Sequence, residues 1–176
     1  MPYTSTHFVI LGILCGAASV WDLARRRIPN VIVGALLVTG LWAQAITASG
    51  LVALEALGAG VLVLFALYPL WTRGGIGGGD VKFALAAATW VGFGRLPMFL
   101  LAGAIGGGVV SACCYLRSRA DARSAIRANL WMVVAAREMP DVIATRAGNG
   151  RISVPYALAI SGAIFAALLL KLPSLP

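Results

Sequence analysis

Residues 71–93 read WTRGGIGGGDVKFALAAATWVGF, and the topology of the whole chain turns on them. Five glycines around Ile76 lead into Asp80, and the run from Val81 to Phe93 is apolar except for Lys82 and Thr89. A helix needs roughly 20 apolar residues to cross the hydrocarbon core, and this run rises only about 20 Å. Length alone therefore argues against a crossing, and the charges argue for one. Five longer or equivalent apolar runs flank it: His7–Ala24, Val31–Ala48, Leu51–Trp71, Leu96–Leu116 and Ile152–Leu172. With six crossings and both termini outside, Arg25, Arg26, Arg27, Arg73, Lys82, Arg117, Arg119, Arg123, Arg127, Arg137, Arg146 and Arg151 share the inner side. That is 12 of the 14 basic residues, leaving Arg95 and Lys171 outside. Without the fourth crossing, the arginines from Arg117 to Arg151 would lie outside. Lys and Arg concentrate on the cytoplasmic face, so an all-α protein of six transmembrane helices is expected.

Composition closes off the other classes. Of 176 residues, 60% are hydrophobic and 11% charged, against about a quarter charged in soluble domains; mean hydropathy is +0.91. Twenty-one glycines follow no triplet period, and three cysteines without paired spacing fit neither a disulfide framework nor a Cys-ligated zinc site. One histidine excludes HExxH metalloprotease chemistry. The first run lacks a basic segment before it and has Arg25–Arg27 after it, unlike a cleaved signal peptide, so it is expected to remain. The net charge of +8 is accounted for by topology and by anionic lipid headgroups as partners, with no nucleic-acid partner expected. Residues 1–176 read as a single integral membrane domain with a cytoplasmic connector at about 117–151. Within it Ile126, Leu130, Val133 and Val134 recur at helical spacing between arginines, the pattern of an amphipathic helix lying on the membrane surface.

Two of the six acidic residues stand out. Asp22 ends the first run, in Trp21-Asp22-Leu23-Ala24-Arg25-Arg26-Arg27-Ile28-Pro29-Asn30, and Asp80 opens the fourth. Two crossings separate them, so both face one compartment at similar depth. An ionisable group at that depth is costly and marks a functional site. Helical spacing puts Cys15, Ala18 and Ser19 on the face of Asp22, and Ala84, Ala87 and Ala88 on the face of Asp80. Small residues let helix backbones approach closely, so the two acids are expected to meet at a seam between these helices. Gly12/Gly16 and Gly103/Gly107 are further packing pairs.

Two carboxyls a few ångströms apart share one proton. One then serves as base on a water while the other protonates the carbonyl oxygen or the leaving amine. This chemistry requires no metal, nucleophilic side chain or cofactor, and none is expected. A carboxylate is disfavoured at a helix C-terminus and favoured at an N-terminus, so the dipoles alone make Asp80 the resting base and Asp22 the resting acid. The competing reading leaves Asp22 paired with its arginines and Asp80 as a plain helix-start residue. Gly77, Gly78 and Gly79 match neither phosphate-binding glycine pattern; they suit either an extended peptide lying beside the loop or a simple connector. Lys82, about 200° round the helix from Asp80, is expected to reach headgroup phosphate. Pro29 and Asn30 set the turn into the second run, with Pro29 at a helix start.

These residues resemble the type IV prepilin peptidases, membrane aspartic proteases with a GxGD motif. The resemblance rests on Asp22 with Ile28-Pro29-Asn30 after it, on Gly77-Gly78-Gly79-Asp80 with Lys82, and on Val154-Pro155-Tyr156 opening the sixth run, similar to the family's late Pro-Tyr element. It implies that Asp22 and Asp80 are the catalytic pair. The implied substrate is a prepilin, cut between its short cytoplasmic leader and its apolar helix at the inner side of a bacterial cytoplasmic membrane. Pro155 and Tyr156 then either place an aromatic near the site or belong to the interfacial belt. Long family members add a domain with paired CxxC motifs and methylate the new N-terminus. Here Cys15, Cys113 and Cys114 lie in apolar runs, where free cysteines act as small buried hydrophobes. The chain therefore resembles the short forms that serve Flp/Tad-type pili, without the methyltransferase activity.

Two rival readings differ in class. A serine protease would have to pair His7 with Ser49, whose neighbours offer no nucleophile setting. A membrane scaffold or small transporter of a pilus system requires no paired acids, and transporters favour repeated halves with mid-membrane sites, which this chain lacks. Small-residue faces serve packing within and between chains equally, so they do not fix an oligomeric state.

Overall fold

The structure, a computed structural model, describes residues 3–72, 76–117 and 155–170. These residues form α1 (Ser5–Arg25), α2 (Asn30–Thr47), α3 (Gly50–Thr72), α4 (Gly78–Val91), a 3-10 turn at Phe93–Arg95, α5 (Leu96–Arg117) and α6 (Tyr156–Leu169). The all-α class and the six helical segments agree with the sequence reading. α1, α2, α3 and the stretch Phe93–Arg117 that contains α5 are long and apolar enough to cross a membrane. α4 and α6 have 14 residues each and rise about 21 Å, so among the described residues four helices are of crossing length. The amphipathic stretch 121–139 and residues 152–154 and 171–172 of the sixth run lie outside the described residues.

Local chemistry sets the helix ends. α1 stops where Arg26 turns left-handed (φ 54°), its N–H still bonded to the Asp22 carbonyl at 2.8 Å. Pro29 follows as the N-cap of α2, its carbonyl accepting from Ile32 and Val33; it thus precedes the first helical residue rather than occupying it. Gly92 ends α4 at φ 68°, a backbone state that side chains rarely permit.

Beside a few large side chains such as Trp90 and Phe83, much of the interior is alanine, and many large apolar residues face outward. Ala18, Ala43, Ala59, Ala87, Ala157 and Ala167 are almost fully buried, whereas Val9, Ile13, Val38, Leu62, Phe65 and Ile105 are exposed. A water-soluble fold sorts these the other way. In lipid, helices gain by close backbone packing and by presenting alkyl groups outward.

α4 occupies the centre, packed on α3, α2 and α6, while α1 packs on α6 and α2, and α5 on α6. α4 fits because its neighbours offer glycine where its bulk arrives. A Cβ on Gly40 would lie 2.5 Å from Thr89 Oγ1 and 2.7 Å from the Trp90 ring, and one on Gly60 would lie 2.9 Å from the Leu85 carbonyl. Polar links then fix the register. Trp90 Nε1 donates to the Leu36 carbonyl at 2.9 Å, Gln44 Nε2 donates to the Thr89 and Trp90 carbonyls, and the Tyr3 hydroxyl donates to Trp90 O at 2.6 Å. The last carbonyls of a helix have no partner within it, and these side chains supply partners for α4.

The expected seam between α1 and α4 is replaced by a wedge. Cys15, Ala18, Ser19 and Asp22 are indeed buried together, as are Ala84, Ala87 and Ala88. The α1 face, however, turns toward α6, on which α4 packs as well. The Ser161 hydroxyl of α6 lies 3.1 Å from Ser19 Oγ and donates to the Cys15 carbonyl at 3.4 Å. Gly103 and Gly107 pack against Ala163 and Tyr156 of α6, while nothing lies within 4 Å of a Cβ on Gly16. Of the cysteines, Cys15 is buried, Cys113 exposed and Cys114 half-buried, so the expectation of buried thiols holds for Cys15 alone.

Candidate active site

Asp22 and Asp80 line one cleft of about 320 Å3 at the end of the bundle where α1 stops and α4 starts. Arg26, Arg27, Ile28, Asn30, Gly77, Gly78, Gly79 and Lys82 complete its wall. Asp22 projects from the last turn of α1 and is only 6% exposed. The backbone N–H of Ala157, in the first turn of α6, donates to Asp22 Oδ2 at 3.4 Å. One turn deeper, Ser19 is held by Ser161. α6 thus supports the carboxyl and the helix face beneath it, and its free N-terminal N–H groups point where negative charge is stabilised.

Asp80 sits in the first turn of α4, with Gly77 as N-cap. Its carboxyl folds back to accept the Gly77 N–H, the return half of a capping arrangement. That return leaves no room for a side chain, since a Cβ on Gly77 would stand 2.7 Å from Asp80 Oδ2. Gly77 has φ −72°, an ordinary backbone conformation, so space rather than flexibility calls for glycine. Gly78 is tight against Trp71 Nε1 (3.0 Å), whereas a Cβ on Gly79 would meet Ile28 at an ordinary 3.7 Å.

Asp80 lies just ahead of the apolar run that starts at Val81. Asp22 and Asp80 line the same cleft, where the charge on either carboxyl opposes ionisation of the other, a coupling that position along a helix dipole does not report.

The remaining expected site residues divide in two. Asn30 and Lys82 line the cleft, so Lys82 faces the acids' pocket rather than only the headgroups. Pro29, Ser19 and Pro155 stand behind the wall: Pro29 caps α2, Ser19 braces α1, and buried Pro155 caps α6. Tyr156 points elsewhere, its ring against Gly107 and its hydroxyl 3.4 Å from Ser111 Oγ.

Sequence reasoning missed Arg26, Arg27 and Ile28 as cleft residues, although their place beside Asp22 was a usable signal. It missed Ala157 because a backbone N–H leaves no trace in residue type. Arg25, next to these, is stacked on Trp21 at 4.5 Å from the ring centroid. Among the described residues no three His, Cys, Asp or Glu side chains come together as a metal-ligand group. The arrangement offers two carboxyls in one cleft rimmed by the cations Arg26, Arg27 and Lys82.

No curated protein and no solved structure matches the chain. Residues 9–112, which carry most of α1, all of α2 to α4, most of α5 and both acids, match the sequence model of the type IV leader peptidase family. Spanning more than half of the chain, that match identifies it as a membrane-type, all-helical peptidase belonging to the type IV leader peptidase family.

Proposed function

We propose that this peptidase is an aspartic endopeptidase in which Asp22 and Asp80 act as one pair. The observation that carries the reading is the cleft that Asp22 and Asp80 share. The ionised carboxylate of the pair takes a proton from a water, whose oxygen attacks the scissile carbonyl carbon. The protonated partner gives its proton to the carbonyl oxygen, forming a neutral gem-diol. As the C–N bond breaks, the first carboxyl passes its newly acquired proton to the leaving amine, and the diol returns a proton to the second. Atoms balance with water alone, and no cofactor takes part. Gly77 and Ala157 position the two carboxyls through their N–H groups, and Gly78, Gly79, Asn30 and Lys82 shape the wall against which an extended peptide lies.

The substrate in this reading is a Flp-type prepilin, cleaved between its leader and its apolar helix. The chain crosses a bacterial inner membrane six times and opens its cleft to the cytoplasm, with α4 and α6 as short crossings in a locally thinned bilayer. The 12-to-2 partition of basic residues supports this orientation. In proteoliposomes with a leader-bearing pilin, Asp22→Asn and Asp80→Asn are each expected to abolish cleavage while leaving helicity and melting intact. A scaffold or transporter predicts that pilus assembly survives both substitutions, and that outcome would end the enzyme reading.

A further inference from the structure

A second concavity, of about 450 Å3, lies beside the cleft and is almost wholly apolar. Val63, Leu67 and Leu70 of α3 form one wall, and Gly103, Gly107 and Gly108 of α5 form the other. Among the described residues α3 packs chiefly on α4 and α2, and α5 chiefly on α6, so the two walls belong to helices that pack mainly on other partners. The lining of the groove includes Ala84, one turn along α4 from Asp80, and Ile76, the residue before Gly77. The apolar groove and the acidic cleft therefore adjoin, with Ile76 and Ala84 on one and Gly77 and Asp80 on the other.

We propose that this groove receives the membrane-embedded apolar helix of the substrate and hands the residues before it to Asp22 and Asp80. The proposal rests on the peptidase reading above. A chain that is polar up to the cut and apolar beyond it matches a polar cleft abutting an apolar trough, and the junction falls one helical turn from Asp80. The groove has the volume of an ordinary ligand pocket, about 300–1,000 Å3, enough for the side chains of one helix face. On its α5 wall, nothing lies within 4 Å of a Cβ on Gly108, so an incoming backbone approaches closely there. A lipid chain would fill the trough equally well, but it gives no reason for the trough to open onto two acids.

Two measurements on the full chain in proteoliposomes test this. First, Ala104→Phe and Gly108→Leu fill the groove without touching the cleft. They are expected to lower kcat/KM for a membrane-anchored prepilin about tenfold or more, while a water-soluble peptide spanning the same bond without the helix stays within about twofold. Equal loss for both substrates, or loss for neither, overturns the proposal. Second, a photo-crosslinking benzophenone residue at position 108, in an Asp80→Asn background that halts turnover, is expected to capture the substrate helix. The same residue at position 105, where Ile105 is 61% exposed on the outer surface, is expected to capture lipid. Capture at 108 of lipid only, of residues 118–154 of the same chain, or of a second copy overturns the proposal. Should Asp22→Asn retain cleavage, the peptidase reading fails instead, and the crosslink still reports on the groove.

Discussion

Replacing Gly77 by alanine tests the site at its narrowest point. The added Cβ would stand 2.7 Å from Asp80 Oδ2. Restoring a van der Waals separation of about 3.5 Å forces the carboxyl back by about 0.8 Å, away from the Gly77 N–H. Gly77 is exposed and its backbone conformation suits alanine, so the helix itself tolerates the change within about 0.5 kcal/mol. The catalytic geometry does not tolerate it. A misplacement near 1 Å lowers rates about 100-fold, equivalent to about 2.7 kcal/mol of barrier. The expected result is an unchanged melting curve in detergent with kcat/KM down 30- to 100-fold, by order of magnitude. Gly79→Ala is the control: its Cβ meets Ile28 at 3.7 Å, so activity stays within about threefold of the parent. Full activity in Gly77→Ala, or an equal loss in Gly79→Ala, would refute the steric argument.

Other outcomes follow from the same geometry. Cleavage assayed from about pH 5 to about pH 9 is expected to follow a bell-shaped profile, because one carboxyl of the pair has to hold a proton while the other is ionised; a rate that rises steadily with pH would count against the pair. Gly40→Ala drives a Cβ into Thr89 and Trp90 at 2.5–2.9 Å; overpacking of this kind destabilises by about 1–3 kcal/mol, read as a lowered melting temperature, while Gly16→Ala, in open space, leaves it unchanged. Gln44→Leu removes the donor to the Thr89 and Trp90 carbonyls, a loss of about 1–3 kcal/mol visible in the same melt.

Much of this molecule was legible in one dimension because its constraints are local. A run of apolar residues reports a helix whatever it packs on, and the starts and ends expected for the first five runs fall within a few residues of α1 to α5. The 3.6-residue period likewise grouped Cys15, Ala18, Ser19 and Asp22 on one buried face, and Ala84, Ala87 and Ala88 on another. Charge asymmetry placed Asp22 and Asp80 on one side. What those faces meet is a non-local matter. Alanine and glycine surfaces accept almost any helix, so only the assembled bundle decides that α6 lies between α1 and α4 and that Ala157 reaches Asp22 through its backbone. The coupling of the two acids belongs to the assembly as well. A helix dipole can be read from position along the chain, but burial and the nearness of a second charge exist only once the helices have packed.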